Sequence, residues 1–126
     1  MFADPQLTTL TLLRALAPGP AYGSKTHDDF PEGDVPTLPY VQVRAGTAAV
    51  RWPVLASAPI RVVVWARSEA ASTALAWRLL GLLLDYEGGP DMRGFGNPIG
   101  PTPADDPDTG RPLAAFTVTA RLRPHP

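Results

Sequence analysis

The most regular pattern in the chain begins at Ile60 and runs to Tyr86. From Ile60 to Arg67 the residues alternate as in a strand. Ile60, Val62, Val64 and Ala66 fall on one face, and Arg61, Val63, Trp65 and Arg67 on the other. Ser68 then stands where a helix N-cap belongs, with Glu69 in the first turn, where a negative charge suits the helix dipole. The period changes to that of a helix, and no proline interrupts it before Pro90. At about 100° per residue, Ala74, Arg78, Gly81 and Asp85 share one narrow stripe. From Leu75 onward every other position is apolar. A helix lying on one sheet needs an apolar face of roughly 100° or a little more, and this one has a wider face. A chain of 126 residues encloses little on all sides. The excess is expected to serve a contact between subunits; a tightly wrapped monomer core with a few exposed leucines is the other reading.

The remaining elements are shorter. Asp4-Pro5 places a capping carboxylate before a proline at the first helical position, and Leu7, Leu10, Leu13, Leu16 and Ala17 form a stripe at helical spacing, ended by Pro18-Gly19-Pro20. Residues 21–38 are rich in glycine, proline and acidic residues and read as a loop. Pro39 to Ala45 reads as a strand, Ala48 to Trp52 as a shorter one, and Pro53 and Pro59 bracket a connection into Ile60. Residues 87–112 read as a second long loop, too rich in glycine and proline for a core element. Leu113 to Arg123 is the cleanest strand, with Phe116, Val118, Ala120 and Leu122 facing in and Thr117, Thr119, Arg121 and Arg123 facing out. The order predicts one α+β domain over residues 1–126. It has a mostly antiparallel sheet of about four strands, two helices packed on one face, and long Pro/Gly-rich loops.

Charge and composition exclude more than they assign. The formal net charge of −1 implies no general attraction to nucleic acid or membrane. There is no cysteine, so thiol chemistry and disulfides are out. No apolar run reaches membrane-spanning length, and no signal-peptide layout opens the chain, so a cytoplasmic setting, or a particle assembled there, is expected. His27 and His125 give no zinc spacing, and His27 beside Asp28 and Asp29 reads as a solvated loop. Asp105, Asp106 and Asp108 lack the later glutamate of a calcium loop and read as a solvated acidic turn. Gly94-Phe95-Gly96-Asn97-Pro98 has no Lys-Ser/Thr pair and is no phosphate loop. No serine sits in a nucleophile elbow. No catalytic residue, metal or cofactor is therefore expected. Arg111, Arg121 and Arg123, with Arg44 and Arg51, put positive charge toward one sheet face, but threonines rather than aromatics interleave them. Trp52, Trp65 and Trp77 read as packing or interface anchors.

A short N-terminal helix precedes a Pro-Tyr-Val-x-Val-x strand (Pro39 to Arg44). A Val-x-Val-Trp-Ala strand (Val62 to Ala66) then continues into an alanine/leucine helix ending Leu-Asp-Tyr, and Asp-Pro-Asp-Thr-Gly-x-Pro (Asp106 to Pro112) precedes the last strand. Over nearly its whole length this layout resembles the tail terminator (minor tail, tail-completion) proteins of long-tailed phages, the family of the lambda tail terminator. The resemblance implies a non-enzymatic virion protein, assembled in the host cytoplasm, at the head-proximal end of the tail. It implies a hexameric ring that caps the finished tail tube, joins the head's connector or stopper protein, and lets DNA pass through its lumen with weak, non-specific contact.

On that basis Trp77, Leu80 and Leu84, with Arg78, are expected to face a neighbouring subunit, while Leu75, Leu79, Leu82 and Tyr86 pack on Val62 and Val64. Phe30, Asp34, Arg93, Phe95 and Asp106, in the two long loops, are expected to face tube or connector, and Arg121 and Arg123 the lumen or an exposed sheet face. Two alternatives stand beside this reading. One is a head–tail connector or stopper protein; the other, from a different class, is an α+β domain that binds a small molecule between sheet and helices.

Overall fold

The computed structural model describes residues 4–25, 38–46, 49–51, 55–106 and 110–123. Helix α1 spans Pro5–Leu16. Strands β1 (Ala21–Gly23), β2 (Tyr40–Ala45), β3 (Ala49–Arg51) and β4 (Leu55–Trp65) follow, then helix α2 (Glu69–Leu84), β5 (Met92–Asp105) and β6 (Pro112–Leu122). Both helices begin as their sequences dictate. The Asp4 carboxylate accepts hydrogen bonds from the backbone N–H of Gln6 at 2.9 Å and of Leu7 at 3.4 Å, ahead of Pro5. Ser68 Oγ accepts from Ala71 N–H at 3.1 Å.

The architecture is α+β, with a mostly antiparallel sheet. The strands run in the order β1-β2-β4-β6-β5, with β3 also paired to β4, and only β1 and β2 are parallel. Among the described residues the sheet has six strands rather than about four. One addition is β1, which lies inside the stretch read as the first loop; its neighbours 26–37 lie outside the described residues. The other is β5, which occupies the middle of the stretch read as the second loop. Three register shifts against β6, between Met92 and Gly94, Gly96 and Ile99, and Ile99 and Thr102, break the two-residue alternation that would have identified it. Asn97 and Gly100 take positive φ of 51° and 93° at these irregularities. At Gly100 a Cβ would lie 2.8 Å from the Ala115 carbonyl oxygen, so the bend requires glycine. As an edge strand, β5 also has a side on which a proline forfeits no ladder bond.

Strand β4 likewise starts before Pro59 instead of after it. The Pro59 carbonyl accepts from Gly46 N–H at 2.8 Å, toward the β2 side. A missing N–H at the same residue points the same way, past the end of β2 at Ala45, and costs nothing toward β6.

Both helices cover one face of the sheet. Leu10, Leu13 and Ala17 of the first helical segment, and Ala76, Leu79, Leu80 and Leu83 of α2, share one buried cluster with the inward residues of β2, β4 and β6 and with Met92 and Phe95 of β5. In β6 the alternation is as the sequence expects, with Phe116, Val118, Ala120 and Leu122 buried. Leu7 and Leu16 depart from the expected α1 stripe and are exposed. The buried side is instead centred between Thr9 and Ala17, and Gln6 Oε1 on that side accepts from Ala45 N–H at 3.0 Å.

The opposite sheet face is buried at one end. Tyr40, Val63 and Trp65 form a second cluster, the two rings 5.8 Å apart. Tyr40 donates its hydroxyl hydrogen to the Lys25 carbonyl at 2.6 Å, and Gln42 Nε2 donates to Ser24 O at 3.2 Å. The outward face of β4 is thus half core.

Candidate subunit interface

Two exposed surfaces, on opposite sides of the sandwich, draw on the residues singled out in the sequence. The first is the outer side of α2. Trp77 is 56% exposed and Leu84 40%, and Ala70, Ala74, Arg78, Gly81 and Asp85 are exposed beside them. Trp77 and Leu84, seven residues apart, stand on one line of the helix. Ala74 and Gly81, one turn to either side of Trp77, leave its indole standing clear, and a Cβ at Gly81 would meet nothing within 4 Å.

Leu80 does not belong to this surface. It is 3% exposed and sits in the main cluster, contrary to its expected place at an interface. At about 100° per residue it lies some 60° from Trp77 on the side toward Ala76 and Leu83, which is enough to carry it under the helix. On the other flank, Leu79 is buried in the cluster holding Val62 and Val64, and Leu75, Leu82 and Tyr86 pack on its margin, as expected. The apolar remainder of α2 is therefore narrower than its sequence suggests: Trp77 and Leu84 without Leu80. Arg78 is exposed. Burial pushes the Tyr22 phenol above its ordinary value, and Arg78 partly offsets this. Tyr22 donates to the Ala17 carbonyl at 2.6 Å.

The second surface is the part of the open sheet face left uncovered by the Tyr40–Trp65 cluster. One row across it reads Arg44, Arg61, Thr117, Ile99 on β2, β4, β6 and β5, each paired in register with the next. Arg44 and Arg61 are exposed and directly opposite, a like-charge pair that is unfavourable in isolation. Ile99 is 72% exposed. Between β6 and β5 the face opens into a cleft of about 250 Å³ lined by Arg61, Ile99, Thr102, Ala104, Leu113 and Thr117. No strand residue on this face among those described is acidic. Arg121 and Arg123 are exposed near the far end, and Arg121 Nη2 donates to Phe95 O at 3.5 Å. The sequence missed Ile99, Arg44 and Arg61 as a group because the β2–β4 register sets the two arginines opposite each other and only the register of the irregular β5 adds Ile99 to their row.

The loop residues expected to meet tube or connector fare unevenly. Phe30 and Asp34 lie outside the described residues, as do His27, Trp52, Asp108 and His125. Arg93 is exposed. Phe95 is buried in the main cluster, with its ring centroid 6.1 Å from that of Tyr86, because it lies on the inward side of β5 and not in a loop. Asp106 is 4% exposed and accepts a hydrogen bond from Trp65 Nε1 at 3.1 Å. Its backbone closes the β5–β6 turn through Arg111 O and Gly110 N–H. It is neither a solvated acidic residue nor a partner-facing one. A buried indole N–H needs an acceptor, and this carboxylate supplies it.

The space between sheet and helices, where a small-molecule domain would hold its ligand, is packed by Leu79, Leu83, Phe116 and their neighbours. Among the described residues no group of three or more His, Cys, Asp or Glu side chains is placed to hold a metal ion, and no helix is long and apolar enough to cross a membrane. No protein-family model matches the chain, and no curated protein matches it.

Proposed function

We propose that this chain is a structural protein of a phage virion, a tail terminator that caps the completed tail tube as a ring of six copies in the pattern of that family, and offers the surface to which the head connector joins. The reading assigns no catalysis and no cofactor. One observation carries it: Trp77 and Leu84 stand exposed on a helix whose other side is fully engaged in the core. An indole open to water costs free energy that burial against a neighbour recovers, at roughly 25 cal/mol per Å² of apolar surface, and a head-to-tail contact repeated around a closed rotation gives a ring. The family resemblance supplies the tube as the place of assembly and the lumen as a passage for DNA. Exposed Arg121 and Arg123 suit weak contact with phosphates there.

The test is to add the purified chain to tail tubes assembled without a terminator and to view them by negative-stain electron microscopy. The expected result is an annular cap at one end of each tube and no further growth when tube subunits are supplied. Bare, growing tubes at saturating protein would refute the reading.

A further inference from the structure

The two exposed surfaces match each other. The α2 stripe offers an apolar knob, Trp77, with exposed Arg78 beside it, and then an acidic end: Asp85 caps the helix, Glu87 follows, and both are exposed where the last helical carbonyls add negative potential, leaving two acidic groups against one basic one. The open sheet face offers an apolar cleft beside Ile99 and then Arg61 and Arg44. A closed apolar cavity of about 150 Å³ holds benzene, so an open cleft of about 250 Å³ admits an indole. Spacing agrees as well. From Trp77 to Asp85 a helix rises about 12 Å and turns about 80°, so Asp85 stands at the edge of the Trp77 face. From Ile99 across Thr117 and Arg61 to Arg44 is three strand spacings, about 14 Å.

From this match we infer that α2 of one copy lies across the open sheet face of the next. Trp77 enters the cleft beside Ile99, and Asp85 and Glu87 reach the Arg61–Arg44 pair. The contact deepens the ring reading and rests on it. It joins opposite faces of the subunit, so each copy has one free half-contact of each kind; the contact is head-to-tail and gives a ring when the rotation between copies closes. The carboxylates relieve the like-charge pair, and Arg61 at the cleft rim lies within reach of the indole face, a favourable placement for a guanidinium.

The experiment uses the full chain and two variants at exposed positions, Trp77→Glu and Ile99→Glu, each checked for folding by circular dichroism. Masses are read by sedimentation velocity alone, mixed, and with tail tubes. Wild type assembles. Each variant alone is expected to associate at least about thirtyfold more weakly, the effect of losing a central anchor. An equimolar mixture is expected to stop at a dimer, because only the intact helix of one and the intact face of the other can meet. A second readout uses charge: Arg44→Glu and Asp85→Arg each weaken assembly, and the double variant restores it. Assembly of Ile99→Glu equal to wild type, or no restoration in the double variant, overturns this contact while leaving the ring. A wild type that stays monomeric at all concentrations and on tubes overturns both.

Discussion

At the residue scale, neighbouring leucines on α2 do different work. Leu80 is enclosed by the core, whereas Leu84, one turn on, meets solvent on one side. Replacing Leu80 with alanine is expected to cost about 2–5 kcal/mol in denaturant unfolding, and Leu84→Ala within about 0.5 kcal/mol of neutral for the isolated chain. A charge at Leu80 would therefore test folding and not assembly, so Trp77 and Leu84 are the positions to probe. The Trp65–Asp106 hydrogen bond makes a second residue-level prediction. Asp106→Ala leaves a buried indole N–H without this acceptor and should lower stability by about 1–3 kcal/mol, with Asp106→Asn milder; near-UV circular dichroism will follow the Trp65 environment. The tyrosines set a third. Burial raises the phenols of both Tyr22 and Tyr40 above the ordinary value, partly offset at Tyr22 by the Arg78 charge. A raised folded value means the native state holds its protons longer than the unfolded chain. Stability is then full below about pH 10 and falls as pH rises through the raised values. Thermal unfolding from pH 8 to 11 should show that decline, and it should be shallower in the Tyr22→Phe, Tyr40→Phe double variant.

At the element scale, the legible parts of the sequence were those with an uninterrupted period. Helix α2, its Ser68 cap, the inward face of β4 and the alternation of β6 follow from spacing alone, because one face of each is buried along its length. Strand β5 was illegible for a definite reason. Its inward residues Met92 and Phe95 are three apart rather than two, since a register shift intervenes, and Gly100 and the prolines that signal a loop are what let an edge strand bend. Placing Gly94-Phe95-Gly96 in a loop made Phe95 look available to a partner when it is core. Gly100→Ala tests this account of β5. The positive φ and the approach to the Ala115 carbonyl should make it cost about 1–3 kcal/mol, with faster hydrogen exchange confined to the β5–β6 ladder.

At the scale of the whole molecule, the sandwich has two outer sides of different character. One is a helix with an indole knob and an acidic end; the other is a sheet face with a cleft and arginines. The sequence showed the first, because helical period exposes a surplus of leucine. It could not show the second, which exists only once the register of four strands is set. The surplus proved smaller than the sequence suggested, since Leu80 is absorbed by the core. What remains exposed is a narrow stripe of Trp77 and Leu84.

The measurement that bears most directly on this account is the mass of the wild-type chain and of its Trp77→Glu variant by mass photometry, each free in solution and after release from tail-tube ends. The account predicts a single multi-copy species for the wild type and only monomer for the variant, with identical circular dichroism. A variant that assembles like the wild type would contradict it.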